Sequence, residues 1–352
     1  MFGPSTRNEW LFCGPLLLQA LIVPALQIYT LVEWQEWVNP NITQVSVGYV
    51  VPINLVIFVF TCLYLVVLAF DAVHHKNNLL LFAICASNVC ITVFSGLQPR
   101  SMKEAIATLP EARDANLQPL VNVHFDFIGR VYPALVACPV VFGICTALVW
   151  PFAYRLHKDY AWAIYRTIHG NTSIKIRYIA YEVYLVLIKS KFYFITVFII
   201  QYDLIDVHFQ QPEFALTLAI LPASFIMMAL AIWAVRKEWT LAMIFAILSH
   251  GALAAYFVSR IVVLNGNGEL ANTADKAMML LFAYVSLVLM IGTLFCAAVC
   301  VYNFNHGLKD LFGGLSLERD HVDFEALPRR SEQTHSQYSR LSLGKKNGRD
   351  EW

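Results

Sequence analysis

Charge is what this chain has least of. Only 14% of its 352 residues are Asp, Glu, Lys or Arg, about half the share of an average soluble domain, which excludes an ordinary cytosolic enzyme. A surplus of either sign is missing too: 25 Lys and Arg stand against 24 Asp and Glu, for a net charge of +1. Without a basic field nothing draws in nucleic acid, so no nucleic-acid partner is expected. Cysteine is missing from every loop. Cys13, Cys62, Cys85, Cys90, Cys138, Cys145, Cys296 and Cys300 all lie in apolar runs, which excludes a luminal disulfide framework and a thiolate zinc site in water. Catalytic signatures are missing as well. No His-x-x-x-His or His-Glu-x-x-His falls on an apolar run, and there is no Gly-x-Ser-x-Gly elbow and no phosphate-cradling glycine loop. Ser249 and His250 are neighbours, about 100° apart on a helix, and so form no obvious dyad. The expectation is a non-enzymatic protein with no cofactor and no metal.

What the chain does have is oil: 58% of its residues are hydrophobic. A hydrocarbon core of about 30 Å takes about 20 apolar helical residues, because lipid leaves every backbone polar group to be satisfied within the segment. Eight stretches meet that requirement, at residues 11–32, 47–70, 79–97, 133–154, 179–205, 214–235, 240–264 and 277–303. The predicted fold is all-α, a polytopic transmembrane helical bundle over residues 1–303, followed by a largely disordered cytoplasmic tail over 304–352. The first run lacks a basic start and contains Pro15 and Pro24, so it reads as a retained span and not as a cleaved signal. Pro24, Pro52, Pro139 and Pro222 lie within spans, where they mark kinks or simple packing geometry.

Basic residues give the orientation. With both termini cytoplasmic, the inside segments hold Arg7, Lys76, a cluster of Arg155, Lys158, Arg166, Lys175 and Arg177, and the pair Arg236 and Lys237. The opposite loops 33–46 and 206–212 hold no Lys or Arg, and 265–276 holds only Lys276. The long loop 98–132, with four basic and four acidic residues, votes for neither side. A seven-span alternative drops the third stretch and puts the amino terminus outside, as in a heptahelical receptor. That places a Lys/Arg-free loop inside and wastes the sequon Asn41-Ile-Thr43, which is usable only in the lumen. Between residues 155 and 178, aromatic and cationic side chains interleave, the composition of a headgroup-level stretch on the cytoplasmic leaflet.

Charge inside a span is costly and tends to mark function. In the fifth span Glu182, Lys189, Thr196 and Asp203 recur every seven residues. A straight helix drifts only about 20° per heptad, so the four share one gently winding stripe, about 31 Å long at 1.5 Å per residue. It reads either as a polar seam facing the bundle interior or a water-filled cavity, or as a Lys189 that snorkels to the headgroups. Lys191 points about 160° away from Lys189 and cannot share the seam, so snorkelling is expected to explain at least one of the two. His250 near mid-depth of the seventh span, with Asn54, Asn88 and Gln201, forms a candidate polar core, and Arg260 is expected to snorkel to the lumen. Asp71 with His74 and His75 reads as a solvated cluster at a loop edge in preference to a weak metal contact. In the tail, Asp323-Phe-Glu325 looks like a diacidic export signal and Tyr338-Ser-Arg-Leu341 like a tyrosine-based adaptor signal. Coat or adaptor proteins are therefore the expected partners, besides the bilayer.

From residue 178 to 309 the chain resembles an uncharacterised family of fungal multi-pass Golgi apparatus membrane proteins. The residues that carry the resemblance are Tyr181-Glu-Val-Tyr-Leu-Val-Leu-Ile-Lys189, Phe192-Tyr-Phe194, Phe198 to Gln201, Arg236-Lys-Glu238, Ala255-Tyr-Phe257 and Asn303-Phe-Asn-His-Gly-Leu-Lys309. The amino-terminal half matches only in its hydropathy. The family pattern usually has an acidic residue two positions after the span-five lysine. Lys191 stands there in this chain, so Lys189 must find another partner. The resemblance implies a Golgi or related endomembrane location and no reaction. Three roles are left open: trafficking or organisation of partners, transport of a small solute or proton along the fifth span, and a heptahelical receptor.

Overall fold

A computed structural model describes residues 4 and 6–304, apart from 45, 108, 112, 114–116, 123, 168–171, 208–212 and 267–275. The tail signals at Asp323, Glu325, Tyr338 and Leu341 lie outside the described residues. Eight helices are long and apolar enough to cross a membrane: α1 Arg7–Trp37, α2 Val50–His75, α3 Asn78–Ile106, α4 Phe127–Thr167, α5 Thr172–Tyr202, α6 Glu213–Lys237, α7 Thr240–Asn265 and α8 Lys276–Tyr302. The third stretch is a helix of 29 residues, as long and apolar as the others, which favours eight spans over seven.

The helices overrun the apolar stretches that announce them. Hydropathy marks where a helix meets hydrocarbon, whereas its ends are set by caps and breakers. Thus α1 starts four residues early, where Thr6 and Glu9 form a reciprocal capping box. At the α2–α3 link, Lys76 takes the left-handed conformation (φ 51°) and Asn77 accepts from the amides of Leu79 and Leu80. Glu238 (φ 53°) makes the corresponding bend between α6 and α7. Pro52 falls in the first turn of α2, where a missing N–H breaks no helical bond. The 41 residues of α4 span about 61 Å, twice the hydrocarbon thickness. Much of the stretch expected as an interfacial loop is therefore helix. Its far end is tied to the start of α1 by Tyr160 donating to Glu9 (3.0 Å) and Asn8 donating to Asp159 (2.8 Å). The side chains at 162–175 and at 178 lie outside those described.

Packing divides the spans into two rings of four. In the first, α1 packs on α2 and α4, and α3 on α2 and α4; in the second, α5 packs on α6 and α8, and α7 on α6 and α8. The rings meet where α5 lies against α2 and α3. As a result α5 is the central helix, with 72% of its apolar window buried against 17% for α6. At one end of the first ring, the segment after α1 pairs with the segment before α4, through the Asn39 amide to the Leu120 carbonyl (2.9 Å) and the Asn122 amide to the Trp37 carbonyl (2.9 Å). The first and third loops therefore share a face.

Polar side chains zip this ring. Gln19 donates to Asn88 (3.1 Å), Asn88 donates to Thr146 (2.9 Å), and Gln27 and Gln98 exchange bonds at 3.4 Å. Asn88 thus links α1, α3 and α4, as its sequence position suggested. Asn54 is equally buried, but its Oδ1 has no partner among the described residues. Replacing Asn88 with Leu should cost about 1–2 kcal/mol and Asn54→Leu less, since only the first strands other groups. Thermal unfolding of the two variants in one detergent makes the comparison.

Candidate functional site

The heptad stripe of α5 is largely interior. Glu182, Thr196 and Asp203 are 7%, 6% and 1% exposed. Asp203 opens a π-helical turn, Asp203–Val207, that extends α5; such turns collect at functional sites. Neither its carboxylate oxygens nor the amide atoms of Gln201 have a hydrogen-bond partner among the described residues, and the same holds for Thr196 Oγ1. Lys189 is the member that pairs. Its Nζ lies 2.5 Å from Asp71 Oδ2 on α2, while Asp71 Oδ1 lies 3.2 Å from His75 Nδ1 and Tyr64 donates to the Lys189 carbonyl (2.9 Å). Asp71 is thus the partner that the sequence left unassigned. It sits in the last turns of α2 as one half of a bridge between the two rings, while His74 and His75 stay exposed, as a solvated cluster would have them. No group of three or more His, Cys, Asp or Glu suited to a metal occurs among the described residues.

Lys191 departs from expectation. Snorkelling requires a lipid-facing side, and central α5 has none at this position: the residue is 5% exposed. It lines a cavity of about 430 Å³ between α5, α6 and α7, together with His250, Ser224, Ser249 and Tyr256. None of the four stripe residues lines it. His250, 3% exposed, has no partner for Nε2. Ser224 and Ser249 donate to the carbonyls of Leu221 and Phe245 on their own helices, which leaves their oxygens able to accept. Around these groups stand Phe192, Ile195, Ile220, Met227, Met228 and Leu253. The volume falls within the range of about 300–1,000 Å³ typical of small-molecule sites, and the mix of apolar walls with a few polar groups is typical too.

At the other end of α7, Arg260 does not stand alone. Its guanidinium donates to Tyr202 (2.8 Å), lies 3.7 Å from a Glu213 carboxylate oxygen and sits against the Tyr256 ring at 5.1 Å. It clamps α5, α6 and α7 together where α5 ends and α6 begins, the end toward which it was expected to reach. The sequence reading found His250 and missed the cavity. The available signal was Lys191 itself, a cation on the opposite side of α5 from Lys189.

The chain is 24% identical over 273 residues to a UPF0658 Golgi apparatus membrane protein of Schizosaccharomyces pombe, an alignment that covers 74% of this chain and 77% of the relative. That alignment is longer than the stretch from Tyr178 to the end of the chain, so the similarity extends into the amino-terminal half, beyond the residues that first suggested it. No family model matches the chain, and no solved structure does. The chain is thus similar to a Golgi apparatus membrane protein, and its eight long apolar helices are those of a multi-pass membrane protein.

Proposed function

We propose that this Golgi membrane protein is a non-enzymatic binder or transporter of a small molecule, which it holds within the bilayer in the α5–α6–α7 cavity. One observation carries the reading: a buried ammonium, Lys191, faces a cavity of ligand size with an unpartnered imidazole beside it and no acceptor within hydrogen-bonding distance among the described residues. Cations in the membrane interior are retained where they meet a substrate, an ion path or a partner. To test it, the cavity is filled with Ala223→Trp and Ala252→Trp, and protein extracted from native membranes is analysed by native mass spectrometry. The unmodified protein should carry a bound small molecule that the filled variant has lost at equal thermal stability. Identical spectra would remove the reading.

The orientation that accompanies it has both termini in the cytoplasm, since eight crossings return the chain to its starting side and the basic residues gather there. Asn41, in a short helical turn next to the third loop, is then luminal. A glycosidase-sensitive mass shift that disappears in Asn41→Gln is the expected result; a glycan instead on Asn171, whose sequon Asn171-Thr-Ser173 lies in the basic stretch 155–178, would invert the scheme. A trafficking role is the second reading and rests on the tail strings at Asp323–Glu325 and Tyr338–Leu341, with coat or adaptor proteins as partners. It requires Tyr338→Ala to redistribute the protein among compartments.

A further inference from the structure

Resting on that reading of the cavity, we infer that the ligand is a single-chain amphiphile with a terminal carboxylate, a long-chain fatty acid in chemical class. Lys191 is buried in a cavity wall that holds no Asp or Glu, and it supplies one positive charge when an anion pairs with its amine. A buried charge without a counter-ion costs several kcal/mol, so an anion that reaches this ammonium gains far more than it would in water. His250 lines the same cavity, with no partner for Nε2 among the described residues. A neutral imidazole there can donate from Nε2 to a second oxygen. One ammonium and one neutral donor match the two oxygens and the single charge of a carboxylate. A phosphate monoester carries close to two charges at neutral pH and would leave negative charge uncompensated among apolar walls. A neutral ester or alcohol would leave Lys191 unpaired.

The rest of the lining fixes the remainder of the ligand. Phe192, Ile195, Ile220 and Leu253 offer a chain nothing polar, and Met227 and Met228 supply flexible, polarisable surface that tolerates variation in its shape. About 430 Å³ lies toward the lower end of ligand-site volumes. That is room for a headgroup and part of one chain.

The test uses the full-length protein in phosphatidylcholine nanodiscs and a conjugated-polyene fatty acid whose binding is read by energy transfer from the protein's tryptophans. Its methyl ester and an alkyl phosphate of matched length serve as competitors. The acid should displace the probe at least about tenfold more tightly than either competitor, the factor expected of one charge-assisted hydrogen bond. Lys191→Met should cut the acid-over-ester preference to within about twofold, and Lys191→Arg should retain most of it. The wild-type ranking of the three ligands decides the matter even where a variant fails to fold. An ester that competes as well as the acid, or an alkyl phosphate that competes better, overturns the carboxylate assignment and leaves the small-molecule reading standing. Failure of that reading shows separately, as identical native mass spectra for the unmodified and the cavity-filled protein.

Discussion

Replacing Trp37 with alanine is expected to remove about 3–5 kcal/mol of stability, the cost of deleting a large buried aromatic side chain. Trp37 stacks on Phe127 with centroids 4.9 Å apart and planes 4° from parallel, and Trp34 meets both rings edge-on at 5.5 Å. The exposures of Trp34, Trp37 and Phe127 are 2%, 5% and 2%. Each pair adds about 1 kcal/mol beyond simple burial. The cluster rests on Met102, Ile106, Leu120 and Val121, so one substitution loosens the end of α1, the end of α3, the third loop and the start of α4 together. The Trp37 carbonyl also accepts the Asn122 amide, and this backbone pairing loses its cover when the ring is gone. Trp10, 52% exposed on α1, is the control, and its alanine variant should stay within about 0.5 kcal/mol of the parent. Thermal unfolding in nanodiscs reads both, and equal losses would show that the cluster is no more than one patch of apolar surface among others.

This contrast indicates which features were legible before any coordinates. The eight crossings were, because hydropathy reports the solvent of each segment and the bilayer imposes one length on all of them. Asn88 was legible as a link between helices for the same reason: a carboxamide in oil must find partners. The overrun of α3 and α4 was not, since a helix that leaves hydrocarbon changes solvent without breaking a backbone bond. The heptad arithmetic on α5 did place Lys189 and Lys191 on different faces. It could not tell what each face meets, because that depends on α5 being enclosed by α2, α3, α6 and α8, which is a property of the assembly and not of the span. Enclosure turned an expected snorkelling lysine into the cation of a cavity. It also gave Lys189 a carboxylate from a helix more than a hundred residues earlier in the chain.

Breaking that bridge should be the second large effect. Asp71→Asn leaves the Lys189 ammonium without its counter-charge at the junction of the two rings, where the lysine and aspartate side chains are only 19% and 26% exposed. A fully buried pair that loses one partner costs about 3–5 kcal/mol. Partial access to water reduces this to about 2–3 kcal/mol, since screening lowers both the gain and the loss. Lys189→Met should cost less than Asp71→Asn, because the stranded carboxylate keeps His75 Nδ1 at 3.2 Å. The double variant should recover at least half of the Asp71→Asn loss, a coupling of about 1–2 kcal/mol between residues in contact. Additive losses in the cycle would mean that the 2.5 Å contact holds nothing. A recovered double variant would identify the pair as a latch between the rings, with the Tyr64 bond to the Lys189 carbonyl as the neutral contact that holds α2 and α5 in register beside it. The latch and the cavity lie on opposite faces of one helix, so Lys189 and Lys191 divide the work: the first joins the rings, and the second, without an ion-pair partner among the described residues, lines a cavity inside one of them.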